Sequence, residues 1–191
     1  MRPRRILIVY ATSYGQTAKI AHRMADVLTA AGETVTIVNA TDPPPPVATR
    51  AFDGIIIGGS IIRGRHQPHL ANFVRARREM LNAMPSAFFS VSGSAASSKD
   101  AERAAARLLA AVFLDQTGWN PAMTDTIGGA IAYTKYNPLL RWIIRRATRA
   151  AGGPTDTSRD HEATDWSQVE RFATSFAAKL PSIPTASFAT A

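Results

Sequence analysis

Apolar residues along the chain fall into short unbroken runs, separated by longer stretches in which they recur every three or four positions. Residues 5–10 form a largely β-branched run closed by a polar turn, the pattern of a strand buried on both faces. Over 16–31, Ile20, Met24, Val27 and Leu28 share one helical face, and Gly32 supplies the stop. The same reading predicts strands over 34–39, 53–59, 87–92 and 124–133. It predicts helices over about 68–82, 99–116 and 137–150, and a last helix capped by Thr164 or Asp165 that runs to about Leu180. The four prolines at 43–46 mark a surface connection. The Pro/Ser/Thr/Ala-rich residues 181–191 read as a frayed tail. Mostly apolar strands alternating with helices imply one α/β domain over 1–180, a doubly wound five-stranded parallel sheet with both faces covered. Such sheets take ligands in the crevice at the carboxyl ends of the strands. The loops after strands one, three and four are the places to look for chemistry.

The first of these loops is Thr12-Ser13-Tyr14-Gly15-Gln16-Thr17, and it opens directly into a helix. The first turn of a helix carries unpaired N–H groups and a partial positive charge, so it attracts phosphate. Thr12, Ser13 and Thr17 add hydroxyls, and Gly15 lets the backbone close around an anion. Neither G-x-x-x-x-G-K-[ST] nor G-x-G-x-x-G is present, which excludes an NTPase loop and argues against a dinucleotide. A plain Ser/Thr-capped turn is the alternative for this segment taken alone.

Composition narrows the classes further. With 191 residues the chain can bury about 70% of its unfolded surface and needs no covalent staples. Cysteine is absent, which excludes disulfide scaffolds, thiolate metal clusters and cysteine nucleophiles. The run 1–11 superficially resembles a signal peptide, but its apolar part is short and ends in polar residues, so a buried first strand explains it better. No window approaches 18 uncharged apolar residues, so no membrane-spanning helix is expected. The net charge is +8, and 18 of the 22 basic residues are Arg, which suits an anionic partner. Nucleic acid is not expected, because no basic run interleaved with exposed aromatics is present.

Thr12-Ser13-Tyr14-Gly15-Gln16-Thr17 resembles the T-x-T-G-x-T phosphate loop of flavodoxins, with Tyr14 in place of the middle Thr. Further segments extend the likeness over about residues 5–180. They are Ile57-Gly58-Gly59-Ser60-Ile61, residues 84–91, Gly128-Gly129-Ala130, Tyr133-Thr134-Lys135-Tyr136, residues 152–157 and Thr164-Asp165-Trp166. Together they resemble the flavodoxin-like, quinone-dependent protoporphyrinogen oxidases of bacterial haem synthesis. The resemblance implies a flavodoxin-like fold with an insertion over about 134–154 and FMN as cofactor. It implies oxidation of protoporphyrinogen IX to protoporphyrin IX, with electrons passed to menaquinone or ubiquinone. A flavodoxin-type electron carrier is the alternative. Such carriers are usually acidic, and +8 argues against it.

On that resemblance, FMN is held by Thr12, Ser13, Tyr14, Gly15, Gln16 and Thr17, by Ser60, Ile61, Ile62 and Arg63, by Val91, Ser92, Gly93 and Ser94, and by Asp156 and Thr157. Loops three and four contain no aromatic to stack on a flavin ring, which leaves room for a large flat substrate. Arg63, Arg65, His66 and His69 form a basic group on loop three. Arginines there suit the two propionates of the substrate, and the histidines are candidate proton acceptors. No carboxylate accompanies His66 and His69 locally, so no metal site is expected.

Residues 137–150 combine a Pro138 start with an apolar face of Leu139, Leu140, Trp142, Ile143, Ile144 and Ala147. Arg141, Arg145 and Arg149 are expected on the opposite side, with Arg146 breaking the pattern beside Trp142. A basic amphipathic helix of this kind suits an anionic lipid surface, each Arg adding about 1 kcal/mol. Packing on the protein's own core is the competing reading. The expected location is the cytoplasm, at the cytoplasmic face of the inner membrane. No sequence feature fixes an oligomeric state.

Overall fold

The computed structural model describes residues 2–40, 48–150 and 152–182; the proline run at 43–46 and most of the expected tail lie outside them. Five strands, β1 (Arg5–Ala11), β2 (Thr34–Asn39), β3 (Gly54–Ser60), β4 (Ser86–Ser92) and β5 (Met123–Gly128), form one parallel sheet in the order β2-β1-β3-β4-β5. The helices are α1 (Gln16–Ala30), α2 (Pro68–Arg75), α3 (Arg78–Ala83), α4 (Asp100–Thr117), α5 (Pro138–Ala150) and α6 (Trp166–Lys179). A short antiparallel pair, β6 (Ala130–Ile131) with β7 (His161–Glu162), lies apart from the sheet.

The period of two along each strand divides the core. Ile6, Ile8, Ile56 and Phe89 face α1 and α6, meeting Ile20, Met24, Leu28, Phe172 and Phe176. Leu7, Val9, Ile55, Ile57 and Phe88 point the other way, onto Phe73, Val74, Leu81 and Phe113 of the helices on that side. With both faces covered, Ile6–Val9 of β1 and Ile55–Ile57 of β3 are apolar at every position. The strand order reverses between β1 and β3, the point at which sheets of this kind take ligands, at the carboxyl ends of their strands.

Two expected elements differ. The helix over 68–82 is two helices, broken at Ala76 and Arg77. In one unbroken helix Arg77 would fall four residues after Phe73 and four before Leu81, on the buried stripe. With the break, its guanidinium lies over the Phe73 ring, 4.1 Å from the centroid. The fifth strand ends at Gly128 rather than 133. A Cβ at Gly128 would stand 2.3 Å from the Ala163 carbonyl oxygen and 2.8 Å from the Ala96 methyl, so the two glycines let the chain peel away between neighbouring segments. It returns at Ala163, whose N–H donates to the Gly129 carbonyl at 2.9 Å. The excursion is therefore closed at its base, and it is wider than 134–154.

Candidate functional site

β1 ends at Ala11 and α1 begins at Gln16, so residues 12–15 turn the chain at the crevice. The Gly15 N–H donates to Thr12 Oγ1 at 2.9 Å. Gly15 has φ 99, in the left-handed region that glycine alone enters freely. No side chain caps α1, and its first turn carries no acid, so the free N–H groups and the positive end of the helix dipole are unscreened. Thr17, in that first turn, is fully buried, and its Oγ1 has no hydrogen-bond partner. A buried hydroxyl left unpaired costs about 1–3 kcal/mol. An anionic oxygen at the start of α1 removes that cost, so the residues present fit the phosphate of FMN.

Three residues, Gln67, Lys135 and Tyr136, make contacts around the loop that the sequence does not announce. The Gln67 amide donates to Ser60 Oγ at 2.5 Å and to Ser13 Oγ at 3.2 Å, tying loop one to the end of β3, while its Oε1 stays buried without a partner. Lys135 Nζ donates to the Tyr14 carbonyl at 2.6 Å. The Tyr136 ring meets Tyr14 edge-on, with centroids 4.8 Å apart. Gln67 carries no local signal of its own. The Tyr133-Thr134-Lys135-Tyr136 stretch did stand out, but not where it would go.

Loops three and four lie side by side at the same end of the sheet. Ser60 pairs with Val91, and the Ile61 N–H donates to the Val91 carbonyl at 2.8 Å. Ser92 Oγ accepts from the Ala95 N–H, bending Gly93 and Ser94 into a one-turn 3-10 helix over Ser94–Ala96. Ile62 and Arg65 exchange backbone hydrogen bonds across Arg63 (φ 52) and Gly64 (φ 76), a two-residue turn with both centres left-handed. Arg63 and Arg65 are exposed on it, and His69 is half-buried in the first turn of α2.

His66 is separated from these three. It is 7% exposed, packs on Phe88 and Phe113, and shares a 2.9 Å hydrogen bond with Ser90 Oγ. Burial pushes its pKa down to about 4, so it is a neutral core histidine at pH 7. Asp156 and Thr157 are not brought to loop one by any hydrogen bond among the described residues. Asp156 accepts from the Ser158 N–H and hydroxyl and pairs with Arg159. Gln16 turns its amide to Thr164 Oγ1 at 2.9 Å, fastening the start of α1 to the returning end of the excursion.

Helix α5 buries no residue. Leu139, Trp142 and Ile143 are 69%, 60% and 46% exposed, while Leu140, Arg141, Ile144 and Thr148 form its half-buried side. Arg141 therefore lies with Leu140 and Ile144, not opposite the apolar face as expected. Its guanidinium donates to the Tyr136 carbonyl at 3.0 Å, and its Nε is buried. Among the described residues no helix is long and apolar enough to cross a membrane.

Residues 7–158 match the flavodoxin domain family. The chain is 31% identical over 93% of its length to a Leishmania major protein named protoporphyrinogen IX dehydrogenase (quinone), covering 77% of that protein. It is 33% identical over 87% of its length to the Escherichia coli K12 protein of the same name, covering 91% of it. Among solved structures it resembles Bacillus cereus flavodoxin 1 at 15% identity, with a TM-score of 0.57 over 93% of this chain and 99% of that one.

Proposed function

The chain belongs to the flavodoxin domain family and, with its relatives, to the quinone-dependent protoporphyrinogen oxidases, and on that premise we propose how its residues carry out the reaction. It is an FMN-dependent oxidoreductase that converts protoporphyrinogen IX to protoporphyrin IX and passes the electrons to a quinone. The carrying observation is the likeness to dehydrogenases of that name through 87–93% of the chain. When bound, FMN would supply the relay between substrate and quinone two electrons at a time, so full conversion to the porphyrin takes repeated rounds, each reducing one quinone. Thr12, Thr17 and the first-turn amides of α1 hold its phosphate, and Gln67 fixes the loop that carries them against β3. The backbone of 60–62 and 91–94 lines the adjoining side of the crevice. Arg63 and Arg65, exposed on their tight turn, pair the substrate's propionates. With His66 committed to the core, His69 is the loop-three histidine placed to take a proton from a substrate nitrogen. Asp156 holds the turn that leads the chain back.

The direct test mixes the FMN-loaded protein with protoporphyrinogen IX under anaerobic conditions. Loss of flavin absorbance, followed by porphyrin fluorescence once a quinone is added, is the expected result. Flavin that stays oxidised with porphyrinogen, yet is reduced by a redox partner, would hand the protein to the electron-carrier reading. Arg63→Ala with Arg65→Ala is expected to raise KM for the dianionic substrate about tenfold or more while leaving FMN affinity in place, since each lost charge-assisted bond is worth roughly 1.5–3 kcal/mol. An unchanged KM would remove these two from the substrate site.

The docking surface we assign to α5 is the outer stripe Leu139, Trp142 and Ile143, flanked by Arg145, Arg146 and Arg149. Packing on the protein's own core does not use that stripe, and a lipid-soluble quinone favours an enzyme seated at an anionic bilayer on the cytoplasmic face of the inner membrane. Trp142→Ser with Ile143→Ser is expected to abolish salt-sensitive binding to vesicles containing anionic lipid, with FMN still bound. Equal sedimentation of parent and variant with the vesicles, or of neither, would remove the assignment.

A further inference from the structure

The amine of Lys135 stands over the phosphate loop although 121 positions separate it from Tyr14, the residue it touches. A Cβ built on Gly15 would come within 3.4 Å of the same Nζ, so the amine occupies the space directly above the glycine that starts α1. Among the described residues Lys135 makes no ion pair. The nearby acid is already engaged: Asp160 accepts from both the N–H and the hydroxyl of Thr134. Burial raises the Asp160 carboxyl pKa, but those two bonds and the charges of Lys135 and Lys19 outweigh it and hold the group below the usual carboxylate range. Lys19, the other cation at this end of α1, is paired with Glu162 at 3.2 Å. Among the described residues one ammonium without an ion pair thus remains beside a helix start that has no acid and whose first turn holds the buried, unpartnered Thr17 hydroxyl.

We propose that Lys135 is the counter-charge of the FMN phosphate, delivered by the excursion rather than by the loop itself, and that an occupied phosphate site holds the excursion against the body. The inference rests on the flavin reading above. A phosphate dianion competes with the neutral Tyr14 carbonyl for the ammonium, and a charge-assisted bond is the stronger of the two. Tyr136, edge-on against Tyr14, keeps the lysine's neighbour in place, and α5 begins three positions after Lys135. Binding and ordering are then linked, and each must favour the other.

The test titrates the full-length apoprotein with FMN and with riboflavin, which lacks the phosphate, in parent, Lys135→Met and Lys135→Arg. The parent should prefer FMN strongly. Lys135→Met should lose roughly ten- to a hundredfold in FMN affinity and nothing in riboflavin affinity, while Lys135→Arg should keep most of the preference. FMN, but not riboflavin, should slow tryptic cleavage at the α5 arginines in the parent, and that protection should vanish in Lys135→Met. Equal losses for both flavins would make the lysine merely structural and overturn the proposal, as would a variant with its full preference and its protection intact. A parent that does not distinguish FMN from riboflavin would instead sink the phosphate-loop reading beneath it.

Discussion

Thr17→Val is expected to leave the apoprotein as stable as the parent, or about 1 kcal/mol more stable, while FMN affinity falls. The valine has the same shape and removes a buried hydroxyl that has no partner in the protein alone. What it loses appears only with the anion present. Thr12 acts differently: its Oγ1 already accepts the Gly15 N–H, so Thr12→Ala both loosens the turn and removes a donor. At about 1–3 kcal/mol for each bond, the double variant should bind FMN between about thirtyfold and ten-thousandfold more weakly. Calorimetric titration with FMN alongside urea unfolding of the apoprotein separates the two effects. Parent-like FMN affinity in the double variant would remove the loop from the binding site.

The second large effect is a pH dependence set by His66. Its folded pKa is depressed to about 4 from an ordinary value near 6.5. Above pH 6.5 both folded and unfolded chains carry it neutral, and it adds no slope. Between pH 6.5 and 4 the unfolded chain takes up a proton that the folded chain refuses, so stability is lost as the pH falls, by about 1.4 kcal/mol per unit and about 3 kcal/mol in all. Glu33 and Asp53 are held low, Glu33 first by its hydrogen bonds from Arg4, and Asp53 against burial by the Arg5 N–H and Arg2. Their contribution is lost only further down, as the pH falls from the ordinary carboxylate range through their lowered values. Urea unfolding at pH 7 and pH 5 should therefore differ by about 2 kcal/mol in the parent and by much less in His66→Gln. A parent with the same stability at both pH values would contradict a buried neutral imidazole.

The sheet was legible because its physics is local. Ile6 to Val9 and Ile55 to Ile57 are short, mostly β-branched runs of consecutive apolar residues bounded by turns, which suits a strand covered on both faces. Loop one was legible for the same reason, since its glycine and hydroxyls are contiguous. What escaped depends on where distant segments meet. Arg77 stands at helical spacing from Phe73 and Leu81, a conflict that the apolar pattern alone passes over, and nothing near Gln67 says that it will bridge Ser13 and Ser60. The helical wheel of 137–150 groups the apolar residues on one broad face, but a wheel has no body to rest on. Contact with Tyr136 selects the Leu140–Ile144–Thr148 side as the inner one and turns Arg141 inward with it. His66 and His69 look alike in sequence, three positions apart at the approach to α2. Only the packing of Phe88 and Phe113 around one of them separates a core residue from a half-exposed one.

The turn at Arg63 and Gly64 shows stability and chemistry asking for different residues. Left-handed backbone at a residue with a side chain such as arginine costs on the order of 1 kcal/mol, and asparagine is the residue that relieves it in a two-residue turn of this kind. A chain assembled for folding alone would carry Asn-Gly there. This one carries Arg-Gly, and the strained backbone fixes the direction in which the side chain leaves the turn. That backbone direction is set in folding, whereas the exposed side chain keeps its own rotamer freedom, which it would still lose on meeting a carboxylate.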